Sequence, residues 1–474
     1  MLNRLIAALC CACLMAGCAR GAGSSASFAP QIERASPQMP LIVNPVQGSP
    51  IKHVIVIIQE NRTMDNMFNG FPGTDTVTTG ENHRGKKVAL QPQGLEWPYD
   101  PDHSHKSLVK EYNNGAMNGF DRDRCDSDPL SPSGCVPPPN FTYSYVPNTE
   151  TTFLWILGGA FSGLGVGYAI ADRMFSDRQV PSLPGHLGLI AGQGPADDPV
   201  GPGESTLGAI WGCDAPKGVK VGAFGKTYTD PLKFVFPCFN YNTIADLMDK
   251  KNVSWKYYTG AVGTVDGGIN AYDAIKHIRF CNCSDWTSKV ETPMTGIFDD
   301  LENGTLPQVS FVTPPFAASD HGGTLTSGGP AWVTSIYAFL TENPKLYANT
   351  AIFVTWDDSG GWYDHVKPPN DKFGPLGFRV PLLALSPYAR QGYVSHKTHS
   401  FGSILRFIEK NWRLGNLGEA DSTADDLSDM FDYKQKPIPP VVNFGSFHRS
   451  EFVQSHSPAY WRSLAADQRP IDNE

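Results

Sequence analysis

Ala351-Ile352-Phe353-Val354-Thr355-Trp356-Asp357-Asp358 is an apolar, β-rich run that stops abruptly on two adjacent carboxylates. Its length, and the Ser359-Gly360-Gly361 that closes it, predict a buried strand over 351–356 whose end delivers both acids into a loop. In open parallel sheets, ligands and catalytic groups gather beyond the carboxyl ends of strands. Two adjacent carboxylates repel unless a cation or protons offset them. Taken alone, the pair is equally a metal site or a plain turn, because Asp is common at strand ends for turn reasons.

The same pattern recurs upstream. Residues 51–59 are an apolar, β-branched run that ends on Glu60, Asn61 and Arg62. Further strands are predicted over 219–223, 253–258, 308–313 and 380–385, with helices over 243–250, 330–341 and 401–412 between them. Such alternation predicts an α/β protein: a mainly parallel sheet with helices on both faces, an α/β/α sandwich. Residues 153–175 are apolar but punctuated by glycine and closed by Asp172-Arg173, so a buried segment is expected there rather than a membrane span. There is no internal repeat.

A chain of 474 residues can bury a sizeable core. Net charge is −9 with 18% charged residues and no basic concentration, which excludes nucleic acid as an expected partner. Aromatics at 11%, with 47 Gly and 39 Pro, fit a loop-rich enzyme rather than a helical bundle or a disordered chain. Arg4 precedes an apolar run over 5–16 that is too short for an ordinary membrane span, so 1–17 is expected to be a signal peptide. Met15-Ala16-Gly17-Cys18 resembles the bacterial lipobox, which implies cleavage before Cys18, lipid on Cys18, and an exported protein of the periplasm or cell envelope, anchored on the outer membrane. Simple secretion with cleavage near Ala22 is the alternative. Residues 18–49, rich in Ser, Ala, Pro and Gln, are expected to be a tether, with the catalytic domain over 50–474.

Beyond Cys18, six of the ten cysteines remain, an even number that suits disulfides in an exported protein. Sequence order favours Cys125 with Cys135 and Cys213 with Cys238. Cys281-Asn282-Cys283 lacks the second pair that a zinc site of that spacing needs, so a disulfide role is preferred there too.

Four places put ligand or nucleophile residues at element edges: Glu60-Asn61, Ser182 with His186, Asp320-His321, and Asp357-Asp358. Val54-Ile55-Val56-Ile57-Ile58-Gln59-Glu60-Asn61-Arg62-Thr63-Met64-Asp65 resembles the opening signature of the bacterial phosphoesterase family that contains the phospholipases C and the respiratory-burst-inhibiting acid phosphatase. Later segments agree in order: 180–186 around Ser182, 308–315 leading to Asp320-His321, Trp356-Asp357-Asp358-Ser359-Gly360-Gly361-Trp362-Tyr363-Asp364-His365-Val366, and 374–381. The match spans roughly residues 51 to 413. The resemblance implies an alkaline-phosphatase-like fold and hydrolysis of phosphoric esters.

It also implies roles. Glu60, Asn61, Asp357 and Asp358 would be metal ligands, and Ser182 the nucleophile and a further ligand. The family has Ser at that position in its acid-phosphatase branch and Thr in many phospholipases C, which tilts the expectation toward a phosphomonoesterase acting through a phosphoserine. His103 and His321 would act on the phosphoryl or leaving group, with His105, His186, Asp320 and His396 on the substrate side and His399 a weaker candidate. Asp320, His321 and His396 also occur in the order that supplies a second metal in the wider superfamily.

Independent chemistry agrees with these roles. Phosphoryl transfer needs an aligned nucleophile and positive charge at the nonbridging oxygens, and a Ser hydroxyl needs activation. Two Asp, a Glu and an amide oxygen make a hard set suited to one divalent cation, Mg, Ca or Mn, with Zn also open. Outside the family context Ser182, lying between prolines, is an ordinary turn residue, and no Gly-x-Ser-x-Gly surrounds it. Alternatives are a phospholipase C acting on phospholipids and a catalytically silent surface-binding protein. The family's long phospholipases C carry extra C-terminal β domains, whereas about sixty residues follow Trp412 here.

Overall fold

β-branched and apolar runs supply the nine strands of one central sheet: β1 (His53–Gln59), β2 (Ala169–Phe175), β3 (Trp255–Tyr258), β4 (Val290–Glu291), β5 (Val309–Val312), β6 (Thr350–Trp356), β7 (Arg379–Leu385), β8 (Val394–Ser395) and β9 (His399–Ser400). The computed structural model describes residues 43–127, 135–161, 163, 166–199, 211–225, 232–280 and 284–465. Strand order is β4-β3-β5-β1-β6-β7-β2-β8, with β9 also beside β2. β1, β6 and β7 are buried along their whole length, as strands covered on both faces must be, which is why they read as unbroken apolar runs.

Six helices cover the sheet: α1 (Thr152–Gly158), α2 (Ser182–Ala191), α3 (Ile244–Lys250), α4 (Gly296–Asn303), α5 (Gly329–Glu342) and α6 (Phe401–Trp412). α2, α3 and α6 pack together, and α1 and α4 pack on α5. These two groups are the outer layers of the α/β/α sandwich.

Pairing is parallel from β4 through β6. β7 runs antiparallel to both β6 and β2, and β8 and β9 are parallel to β2. The reversal has a simple cause. Residues 357–378 contain no crossover helix, so the chain re-enters the sheet from the end at which β6 left it.

Three expectations change. The strand expected over 219–223 is only Val221–Ala223, and it pairs with Lys233–Val235 in a separate two-stranded sheet. Residues 153–175 are two elements, α1 and β2, because Gly159 takes φ 96° and closes α1 in the left-handed region. Among the described residues no helix is long and apolar enough to cross a membrane. The expected tether is already docked by residue 43: Val43 exchanges hydrogen bonds with the Gln308 side chain at 2.9 and 2.7 Å, and Val46 N–H donates to the Asn411 carbonyl at 2.8 Å. Disulfides join Cys125 to Cys135 and Cys213 to Cys238, as sequence order favours. The signal peptide, Cys18 and the Cys281–Cys283 stretch lie outside the described residues.

Candidate active site

Gln59 lies opposite Trp356 in the parallel β1–β6 register, so Glu60-Asn61 and Asp357-Asp358 leave the sheet side by side. Asp357 N–H donates to the Gln59 carbonyl and Asn61 N–H to Asp357 Oδ1, both at 3.0 Å. Asn61 has φ 60°, a conformation Asn tolerates better than most residues. Gly360 is needed against it, because a Cβ there would stand 2.5 Å from the Asn61 carbonyl oxygen. The glycines after the two acids therefore serve both the turn and the close approach.

β2 and β6 are both antiparallel to β7 and so end on the same edge, where α2 begins at Ser182. Ser182 Oγ lies 3.4 Å from Glu60 Oε2, 3.3 Å from Asn61 Oδ1 and 3.3 Å from Asp358 Oδ2. One hydroxyl hydrogen can serve only one of these oxygens. His186, one turn further along α2, brings Nε2 to 3.0 Å from Glu60 Oε1 and 3.7 Å from Asp357 Oδ2. Glu60, His186 and Asp357 form a group able to hold a metal. The Leu183 N–H at the start of α2 donates to Asp198 at 2.9 Å.

The orientation of Asn61 tests whether the donors fit a cation. His103 Nδ1–H donates to the Pro101 carbonyl at 2.7 Å, and His321 Nδ1–H donates to the Gly322 carbonyl. The neutral His321 ring therefore turns an Nε2 lone pair toward the Asn61 amide nitrogen at 2.8 Å, and His103 Nε2 lies 3.2 Å from the same nitrogen. The amide oxygen then faces Ser182 Oγ, Asp357 Oδ1 and both Asp358 oxygens at 3.1–3.3 Å. A reversed amide would satisfy those carboxylates but oppose its oxygen to the His321 lone pair. An amide oxygen amid carboxylates is repelled unless a cation lies between them, and the buried Asp357 Oδ2 has no hydrogen-bond partner of its own. Glu60, Asn61, Ser182, Asp357 and Asp358 thus fit a divalent cation.

A model of the Phosphoesterase family matches residues 51–415. The chain belongs to that family. Phospholipase C B of Mycobacterium tuberculosis is 24% identical over 90% of this chain and 86% of its own length. An acid phosphatase of Aspergillus niger is 27% identical over 39% of this chain and 45% of its own. Among solved structures, a protein of the alkaline phosphatase superfamily from Vibrio parahaemolyticus aligns over 90% of this chain and 89% of its own, at 10% identity and a TM-score of 0.35. As a member of the Phosphoesterase family the chain is a phosphoester hydrolase.

In this phosphoesterase the acid cluster is strongly perturbed when protons are its only counter-charge. Burial raises the Glu60 carboxyl to about 7. Burial and the neighbouring Glu60 raise Asp357 to about 7, and burial and Asp357 raise Asp358 well above the ordinary range. A divalent cation reverses this balance and keeps the carboxylates ionised. Burial, together with His103, lowers His321 to about 4, and burial lowers His186. Both imidazoles are accordingly neutral at neutral pH.

Not every expected substrate-side residue reaches the site. Asp320 turns its carboxylate beneath the site, where Oδ2 accepts from Gln59 Nε2 at 3.3 Å and Trp356 Nε1 at 3.2 Å. It supports the strand ends instead of meeting substrate. His186 is fully buried among the ligands and outside the cleft lining. His105 donates from Nδ1 to the Gln179 carbonyl at 2.6 Å and packs on Phe224. His396 is exposed and pairs with Asp172 at 2.9 Å, three residues short of the end of β2. The Asp320, His321 and His396 set for a second metal is therefore not assembled. His399 is held by Ser395 and Asp425, away from the cluster. Asp364 and His365 belong to a buried network around Arg379 and Asp65 that braces the loop after the metal pair.

Sequence reasoning missed the cleft beside the cluster. Beside Glu60, Ser182 and His321 it is walled by Trp211, Val265, Ile269, Pro314 and Phe316, with Asp266 accepting the Phe316 N–H at 2.8 Å. No local signal marks these residues, because they come from three separate loops.

Proposed function

We propose that the protein hydrolyses phosphoric esters through Ser182, with Glu60, Asn61, Asp357 and Asp358 holding one divalent cation. The observation that carries this is the Ser182 hydroxyl surrounded by Glu60, Asn61 and Asp358 oxygens at 3.3–3.4 Å. A cation bound there favours the Ser182 alkoxide and offsets charge on the nonbridging oxygens. Ser182 Oγ attacks phosphorus, the bond to the ester alcohol breaks, and the phosphoryl group passes to Ser182. Water then attacks the phosphoserine and regenerates the hydroxyl. His103 and His321, whose rings lie 5.6 Å apart beside Asn61, turn Nε2 toward the site, where it can serve the leaving group or the attacking water. A neutral His321 is suited to taking the proton of the attacking water. Ser182 also stands in the first turn of α2, whose positive end favours a bound phosphoryl group.

Ser at the nucleophile position favours a monoester, but the cleft favours a phospholipase C substrate. Its walls are apolar and, among the described residues, its lining includes no Lys or Arg, which suits an apolar alcohol on a singly charged phosphodiester better than a dianionic monoester. The long alignment with a protein named phospholipase C supports the same preference. The complete set of ligand types speaks against a silent binding protein. The leader and Cys18 support export and lipid anchoring at the cell envelope.

Metal-quantified wild type and Ser182→Ala, assayed on an aryl phosphate monoester and on phosphatidylcholine vesicles, test the proposal. Wild type should prefer phosphatidylcholine, and Ser182→Ala should lose turnover on both while keeping its circular dichroism spectrum. Full activity in that variant removes Ser182 as nucleophile. Turnover of the monoester alone restores the phosphatase alternative.

A further inference from the structure

We infer that His186 is a positioning residue: it locks Glu60 so that Oε1 is occupied and Oε2 faces the Ser182 hydroxyl. The inference rests on the metal role of Glu60 proposed above.

A carboxylate terminates a broad, two-fold torsion, so nothing intrinsic to Glu60 decides which way its oxygens face. The structure decides it by giving each oxygen a different partner: His186 Nε2 at 3.0 Å from Oε1, and Ser182 Oγ at 3.4 Å from Oε2. An ionised carboxylate only accepts, so Nε2 must carry the imidazole hydrogen and Nδ1 must accept. Tyr257 places its hydroxyl 3.5 Å from Nδ1 and 3.4 Å from the Ile269 carbonyl, within reach of that lone pair. One hydroxyl hydrogen cannot serve both acceptors, so it is the Glu60 carboxylate, accepting from Nε2 at 3.0 Å, that sets the tautomer, with Tyr257 packed beside Nδ1.

Two further features favour positioning over substrate contact. His186 is fully buried and does not line the cleft. Ser182 and His186 are four residues apart, so they project from one face of α2, and a single rigid helix carries both the nucleophile and the group that orients its ligand. Gly185, between them, lets that face approach the Asp357 backbone.

The test uses His186→Asn and His186→Gln in the full chain, with Mn(II) as the probe. The Gln amide nitrogen reaches the place of Nε2, whereas the Asn amide reproduces only Nδ1. Loss of a group that orients a ligand weakens metal binding about 10- to 100-fold, so His186→Asn should show that loss by calorimetry and His186→Gln should recover to within about threefold of wild type. In His186→Asn kcat should fall with KM unchanged. Folded His186→Asn that binds Mn(II) as wild type overturns the inference, and so does a directly bonded nitrogen in the electron spin echo spectrum of Mn(II)-loaded wild type. Wild type whose Mn(II) affinity equals that of Asp357→Asn/Asp358→Asn overturns the metal role itself, an outcome distinct from a failure of His186 alone.

Discussion

Gly185→Ala sets helix propensity against tertiary packing. Gly185 lies inside α2, and Ala in a helix interior is favoured over Gly by about 1 kcal/mol, so composition alone predicts a more stable protein. The packing predicts the opposite. The added Cβ would stand 2.5 Å from the Asp357 carbonyl oxygen and 3.1 Å from its carbonyl carbon, where ordinary contact begins at 3.4 Å. The obstructing atoms are backbone at the end of β6, tied to Gln59, and no flexible side chain can yield. α2 must therefore retreat by about 0.9 Å, and overpacking of this kind costs about 1–3 kcal/mol, which outweighs the propensity gain. Ser182 and His186 move with the helix, taking Ser182 Oγ beyond hydrogen-bonding reach of Glu60 and Asp358. A misplacement of about 1 Å in a positioned nucleophile costs about 100-fold in kcat. Urea unfolding, phosphatidylcholine hydrolysis and Mn(II) calorimetry on the purified variant measure the three effects. A variant more stable than wild type with undiminished kcat refutes the packing of α2 on Asp357.

Three other outcomes are expected. Asp357→Asn with Asp358→Asn should leave less than a tenth of the stoichiometric cation by elemental analysis, and undiminished metal would sink the ligand assignment. Stability should fall as pH rises from 5 to 8. Burial raises Asp177 to about 6, burial with Asp197 raises Asp198 to about 8, and burial with Asp421 raises Glu409 to about 8, so the folded chain holds protons that the unfolded chain releases. This stabilisation is full below the ordinary carboxyl range and lost as pH rises through the folded values; a urea midpoint that rises between pH 5 and 8 contradicts it. Cys18→Ser should release the protein from the membrane fraction, and persistent association counts against lipid anchoring.

Much of the fold was legible because burial on both faces forces an unbroken apolar run, and β1, β6 and β7 announce themselves that way. Their polar ends were legible too, since a carboxylate following such a run must leave the sheet at its edge. The direction of β7 was not legible, because an apolar strand reads alike in either orientation and only the missing crossover helix decides it. His396 was misplaced for a related reason: its neighbours show that it follows a strand, but not that β8 lies beside the first residues of β2 and not its end. His186 was seen, but its task was not, because helical spacing places it on the Ser182 face without showing that Glu60 and Tyr257 meet it there.

By itself the sequence determined which residue types the site has and that each stands at an element's edge, since both are local matters of composition and period. It could not place Asn61 against Asp357, 296 residues away, or choose which amide atom of Asn61 faces the acids. Those were decided by the β1–β6 register and by the His321 ring, whose Nδ1 hydrogen is committed to a backbone carbonyl. Register and hydrogen-bond direction are long-range properties, and only the folded chain possesses them.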